Sequence, residues 1–216
     1  MRIHTKSIAW NREDLVFCNE RVIYWQKEDA LILSDLHIGK AAHFRKNGIP
    51  VPTQIHEKDL NRLARLIHYF GAKRVIMVGD MLHANDNIEV QDFMRFIEEN
   101  HAIDFLLVKG NHDRMNDKYL LNMGLSSVST QYLLHALLFV HEPVADSLFP
   151  QITGHIHPGI VLPLPTRRTL RLPAFVVSPE LIVLPAFSNF TGLDTKSKYN
   201  DAVYYACYEG GIAEIA

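Results

Sequence analysis

Short apolar runs that stop abruptly at polar clusters organise the first half of the chain. Ala30-Leu31-Ile32-Leu33 stops at Ser34-Asp35, and Arg74-Val75-Ile76-Met77-Val78 stops at Gly79-Asp80. Phe105-Leu106-Leu107-Val108 leads into Gly110-Asn111-His112-Asp113. Runs this short, bounded by turn residues, predict buried strands. Between them the period lengthens. After Gly48-Ile49-Pro50-Val51-Pro52 a helix is expected from near Thr53, with Leu60, Leu63, Ala64, Ile67 and Phe70 on one face and Gly71 as its stop. Val90, Phe93, Met94 and Ile97 mark a second helix. The order strand, helix, strand, helix, strand implies parallel strands covered by helices.

From about Gln131 the pattern becomes strand-rich. Leu137-Leu138-Phe139-Val140, Phe175-Val176-Val177, Leu181-Ile182-Val183-Leu184 and Val203-Tyr204-Tyr205-Ala206 read as strands, with turns at Ser178-Pro179-Glu180 and Gly210-Gly211. A second sheet packed on the first would bury them. The expected fold is α/β (α+β): a four-layer α-β-β-α sandwich of two mixed β-sheets flanked by helices, with residues 1–216 forming one domain.

Composition narrows the function classes. With 48% hydrophobic residues the 216-residue chain can build a sizeable core, and 21% charged residues exclude a disordered type. A formal net charge of −2 excludes a protein that coats nucleic acid by bulk charge, so any such contact must be a local patch. Cys18 and Cys207 alone make no disulfide framework, which fits a reducing compartment. No signal-type apolar run follows Met1 and no stretch approaches the ~20 apolar residues of a membrane span, so a cytoplasmic protein without membrane association is expected. Histidine is abundant, at 12 residues.

Those histidines sit where the predicted strands end. Asp35-Leu36-His37, Asp80-Met81-Leu82-His83, Asn111-His112-Asp113, His141-Glu142 and His155-Ile156-His157 are five clusters of one character. In open sheets with helical crossovers the C-terminal strand ends share one rim, so clusters distant in sequence can converge. In extended chain residues i and i+2 point the same way, which would let Asp35 and His37 approach one ion together, and likewise His155 and His157. Carboxylate, amide oxygen and imidazole donors suit Mn²⁺, Fe, Zn²⁺ or Co²⁺ better than Ca²⁺. The glycines before Asp80, Asn111 and His155 would allow close backbone approach.

This order of clusters resembles the calcineurin-like metallophosphoesterase superfamily, whose pattern is Asp-x-His, Gly-Asp-x-x-(Asp/His), Gly-Asn-His-(Asp/Glu), a lone His and Gly-His-x-His. The resemblance implies that Asp35, His37, Asp80 and His157 hold one metal ion. It implies that Asp80 bridges to a second ion completed by Asn111, His141 and His155. His112 would be the proton donor or phosphate stabiliser. Two ions ~3.5–4 Å apart would then generate a bridging hydroxide that attacks phosphorus in line with the leaving oxygen. Where protein phosphatases of the superfamily carry Asp followed by Arg-Gly, this chain carries His83, as in some of its DNA-repair nucleases. His83 would work beside His112 at the phosphate or steady a neighbouring ligand.

A narrower resemblance rests on residues 34–45 with Gly48-Ile49-Pro50-Val51-Pro52, on Gly154-His155-Ile156-His157-Pro158-Gly159, and on Leu184-Pro185-Ala186-Phe187 with Phe190-Thr191-Gly192-Leu193. These stretches are similar to the ligase-associated DNA damage response endonucleases. That likeness implies a manganese-dependent bacterial phosphodiesterase, an endonuclease in DNA repair with single-stranded DNA as the expected substrate. Its partners would be an ATP-dependent DNA ligase, a helicase and an exonuclease. Ser188-Asn189 departs from the glycine expected there. Lys40, His43, Arg45 and Arg167 are the candidate contacts to a phosphate backbone, with Arg168 and Arg171 beside the last, and Phe44 is a candidate for base stacking. The alternative is a phosphodiesterase or phosphatase for nucleotides or other small phosphate esters.

Overall fold

The computed structural model describes residues 2–52, 54–83, 87–165 and 168–215. Thr53 and residues 84–86 lie outside them, as does Arg167. Four strands, β1 (Thr5–Trp10), β2 (Glu13–Cys18), β3 (Val22–Trp25) and β4 (Ala30–Leu33), run as an antiparallel meander. β5 (Arg74–Val78), β6 (Asp104–Val108) and β7 (Ser127–Ser129) then join β4 in parallel, giving a seven-stranded mixed sheet in chain order.

The crossovers are helical: α1 (Lys40–Lys46) and α2 (Ile55–Phe70) after β4, α3 (Ile88–Glu99) after β5, and α4 (Asp117–Asn122) after β6. α2 buries Leu60, Leu63, Leu66 and Ile67 along one face and stops at Gly71, whose φ of 62° is left-handed. α3 starts at Asn87, whose side chain accepts from the amides of Glu89 and Val90, a cap worth about 1 kcal/mol. The Asn87 side chain also donates to the Gly39 carbonyl at 3.2 Å, fixing α3 beside the start of α1.

The second half folds into β8 (Gln131–Leu134), β9 (Leu137–Val140), β10 (Gln151–Thr153), β11 (Gly159–Pro163), β12 (Thr169–Val177), β13 (Leu181–Val183), β14 (Val203–Tyr208) and β15 (Gly211–Ile215). The sheet order is β15-β14-β12-β13-β10-β9-β8, with β11 paired to β12. β9, β10 and β13 are parallel and the rest antiparallel, so this sheet is also mixed.

The alternation of each strand decides which layer its side chains enter. Leu31, Leu33, Val75, Met77, Phe105 and Leu107 pack with α2, α3 and α4. Ile23, Trp25, Ile32, Ile76 and Val78 face Phe139, Ile152, Phe175 and Ile182 of the second sheet. Phe17 and Phe175 meet across this seam at 4.6 Å between ring centres. Emptying it by Phe175→Ala would cost about 3–5 kcal/mol. The two mixed sheets with flanking helices are thus present. Among the described residues no helix follows Asn122, and α2, α3 and α4 cover the first sheet. No described helix is long and apolar enough to cross a membrane.

Candidate metal centre

The parallel strands of both sheets deliver their C-terminal ends to one rim. From the first sheet come Asp35 after β4, Asp80 after β5 and Asn111 after β6; from the second come His141 after β9 and His155 after β10. A bridge between Ser34 and Ala186 joins the two sheets at this edge. All seven candidate ligands meet here.

They form two groups. Ligand atoms of Asp35, His37 and His157 lie within 4.8 Å of one another, and so do those of Asp80, His141 and His155. In the first group His157 Nε2 is 3.1 Å from Asp35 Oδ1 and 3.3 Å from His37 Nε2. In the second, Asn111 Oδ1 is 3.2 Å from His155 Nδ1. Asp80 touches both: Oδ2 is 3.9 Å from His37 Nε2, and Oδ1 is 3.4 Å from His141 Nε2.

The expected pairing of His155 with His157 is corrected by this division. Neither motif is extended: Asp35, His37, Asp80, His155 and His157 all have positive φ, between 49° and 70°. An i, i+2 pair in such a turn need not point one way. Left-handed backbone is unfavourable for residues with a Cβ and clusters where geometry is functionally constrained.

The preceding glycines have a more specific reason than close approach to ions. A Cβ on Gly79 would fall inside the His141 ring, and one on Gly110 would collide with the Asp80 carboxylate. Each glycine thus makes room for a ligand side chain arriving from another strand.

The electrostatics are those of a cation cradle. Burial and the Lys40 charge push the His37 imidazole far below its usual range. Burial opposes ionisation of Asp80, but His141 and the His112 amide hold its carboxyl below the usual value. Burial also works against a charged His141, and the Asp80 and Asp35 carboxylates outweigh it, raising the imidazole to about 9. Asp35 Oδ1 is buried without a hydrogen-bond partner. Buried lone pairs left unsatisfied within such clusters are what a bound divalent ion would satisfy. The donors are oxygen and imidazole nitrogen, and both groups fit such an ion.

His112 and His83 line the same rim. The His112 amide donates to Asp80 Oδ1 at 2.9 Å, while its imidazole, 35% exposed, has Nε2 4.0 Å from Asp80 Oδ2. The His83 ring stacks on it at 4.7 Å. Burial, then the neighbouring His112, Lys40 and His43, push His83 down to about 4, so it is neutral near pH 7.

The candidate phosphate contacts fare differently. Lys40 opens α1 half-buried, and burial pulls its ammonium below the usual range against the opposing Asp35 and Asp80 carboxylates. His43 is exposed, its ring 5.9 Å from that of His83. Arg45 is corrected: it turns inward to Glu89, at 2.7 Å and 1% exposed, because a buried carboxylate captures the nearest guanidinium. Arg171 donates to the Leu193 carbonyl at 2.8 Å. Arg167 lies outside the described residues. Phe44 packs edge-to-face on Phe190 at 5.5 Å.

Two supports escaped the sequence reading. Asp113, at the end of Gly-Asn-His-Asp, is buried and accepts from the amides of Met81, Leu82 and Gly110. The 186–190 loop is the second. The amides of Phe187 and Ser188 donate to the carbonyls of Ser34 and Asp35 at 2.8 and 3.1 Å. Arg21 donates to Ala186 and Ser188 carbonyls, Arg62 to that of Phe187, and Asp59 accepts from Asn189. Ser188 and Asn189 do not have positive φ, so glycine is not required there. The motif itself signalled Asp113; nothing local signals Arg62.

A family model described as calcineurin-like phosphoesterase matches residues 30–165, well over half of the chain. The crystal structure of Pseudomonas putida nuclease MPE is similar over 98% of this chain and 100% of its own, at 27% identity and a TM-score of 0.83. A looser likeness is to YfcE, a phosphoesterase from E. coli: 14% identity, 87% of this chain, 98% of that one, TM-score 0.45. No curated protein matches the chain.

Proposed function

We propose that this chain, which belongs to the calcineurin-like phosphoesterase family and is a hydrolase of phosphoric esters, is a two-metal phosphodiesterase that cuts single-stranded DNA as an endonuclease. The observation that carries the reading is Asp80, whose two oxygens face two separate ligand groups. Asp35, His37, Asp80 and His157 would hold one divalent ion, and Asp80, Asn111, His141 and His155 the other, with Mn²⁺ the first choice for this donor set. Such a pair supplies Lewis acidity, neutralising phosphate oxygens and making hydroxide available near neutral pH.

The protein's own groups do the rest. His112 stands at the exposed edge of the centre and donates its proton to the leaving oxygen, a contribution of typically ~10²–10⁴-fold. Its backbone amide, tied to Asp80, fixes its distance from the ligand groups. Neutral His83, stacked on it, keeps the ring upright without competing for that proton. Lys40 attracts the phosphodiester to the rim.

Several observations support a polymer. His112 and His155 are each 35% exposed, so the reacting edge is open. The Pseudomonas putida relative is named a nuclease. A repair setting beside a DNA ligase, a helicase and an exonuclease follows from the sequence resemblance. One observation favours nucleotides or other small phosphate esters instead: Arg45, counted on to track a strand, is spent on Glu89.

Digestion of circular single-stranded DNA with added Mn²⁺ tests the reading, because cutting a circle requires internal cleavage. Linear and shorter products are expected. Intact circles beside brisk turnover of small diesters would transfer the assignment to the second reading.

A further inference from the structure

A cavity of about 310 Å³ opens beside the metal centre, lined by Lys40, Phe44, Asn189, Phe190, Thr191 and Gly192. Its position is set by the ligand strands. α1, which carries Lys40 and Phe44, begins where the Lys40 amide donates to the His37 carbonyl at 3.1 Å. Phe190 is anchored through its own amide to Ser188 Oγ at 3.1 Å, and the Ser188 amide is bonded to the Asp35 carbonyl. Both aromatic walls therefore hang from the backbone of the first ligand group. Lys40 also lines the neighbouring cleft with His37.

The chemistry of the walls is uneven. Phe44 and Phe190 stand edge-to-face, at 85° and 5.5 Å, and form a half-buried apolar corner. The polar side chains of the lining are already engaged. Asn189 donates to Asp59 at 2.6 Å and accepts from Arg21, and Thr191 donates to the Ser188 carbonyl at 3.2 Å. What remains on offer is one ammonium and two aromatic surfaces. A flat, uncharged ring linked to a phosphate suits that combination.

We infer that this cavity is a nucleobase subsite, in which the unpaired base of the nucleotide next to the reacting phosphate stacks on one ring of the Phe44–Phe190 corner and meets the other edge-on, while Lys40 faces the phosphate. The inference rests on the phosphodiesterase reading and adds a reason for preferring single strands: a base can enter the corner only when it is free of a partner. It also makes the site tolerant of sequence, because stacking is available to every base and no unengaged side-chain group reads a base edge.

The test compares two chromogenic diesters that share a leaving group. Thymidine carrying a 4-nitrophenyl phosphate, at the 5′ or the 3′ oxygen, presents a base, and methyl 4-nitrophenyl phosphate does not. The wild-type protein with Mn²⁺ is expected to turn over at least one thymidine isomer with a kcat/KM roughly 5- to 150-fold above the methyl ester, the range of a single base–aromatic stack. In Phe44→Leu, Phe190→Leu and the double variant that ratio should fall toward one, and replacing thymine by adenine, guanine or cytosine should change it only a few-fold. Equal kcat/KM for all esters in the wild type would overturn the subsite and leave the phosphodiesterase standing. So would a ratio that survives in the folded double variant. Strong preference for one base would overturn recognition by stacking. No turnover of any diester would remove the underlying activity and the subsite with it.

Discussion

Asp113 and Leu82 are joined by a hydrogen bond of 2.8 Å, from the Leu82 amide to Asp113 Oδ1. The other carboxylate oxygen takes the Gly110 amide at 2.9 Å and the Met81 amide at 3.3 Å. One buried side chain therefore clamps the loop that carries Asp80 to the loop that carries Asn111 and His112. Asp113→Ala strands three amides in the interior. The loss should be about 3 kcal/mol, since buried unsatisfied donors cost ~1–3 kcal/mol each and neighbours relax. Urea unfolding and calorimetric Mn²⁺ titration would measure it; unchanged stability and affinity would refute the clamp.

Asp80→Asn keeps the shape and removes the charge shared by the two ligand groups. Bound metal, counted by elemental analysis after dialysis, should drop from two ions per chain to one or fewer. Turnover of a small diester should fall by about a hundredfold or more, given the weight of such charge stabilisation. Two retained ions with normal turnover would deny Asp80 its bridging place.

His112→Ala should slow esters with poor leaving groups far more than nitrophenyl esters, which need no proton. The expected gap is ~10²-fold or larger. Equal losses on both would remove it as the proton donor.

Gly79→Ala introduces a Cβ where the His141 ring stands, at a φ of 84° that disfavours any side chain. The ring must move, so both folding and Mn²⁺ affinity should suffer. A loss of about 3 kcal/mol combines a left-handed alanine with overpacking. Thermal melts decide it, and a variant as stable as the wild type would contradict the packing described.

Cys18 is fully buried, and burial pushes its thiol from an ordinary 9.0 up to about 11. At pH 8 this lowers the thiolate fraction by roughly a hundredfold relative to an unfolded chain. A thiol reagent should therefore react slowly with native protein and quickly in urea. The unfolded thiol ionises first, so this site favours the fold below about pH 9 and loses that advantage as pH rises toward 11. Fast labelling of the native protein at pH 8 would exclude such burial.

The strands that build the rim were readable because β4, β5, β6 and β9 are buried along nearly their whole length and appear as apolar runs. The meander β1–β3 was missed. β1 alternates exposed and half-buried positions with Lys6 and Ser7 among them, and β3 has only four residues, too short to show a period. α1 and α4, at 7 and 6 residues, are below that threshold as well. The candidate ligands are legible as residue types at strand ends. Their division into two groups is implied by the family resemblance and not by the spacing, because left-handed turns at His155 and His157 cancel the alternation of an extended chain. Arg45 misled for a different reason: its partner Glu89 lies 44 residues away, and local charge patterns carry no record of such a capture.

Five candidate ligand positions with positive φ limit which replacements the rim can accept. Glycine there relieves torsional cost while deleting a donor, and asparagine keeps much of the shape; β-branched residues add steric conflict to lost chemistry. Variation at these sites is thus filtered twice, once by what binds an ion and once by what tolerates the turn. Part of the folding free energy goes in advance into aiming these side chains, so a cation bound there would meet a seat that needs little rearrangement.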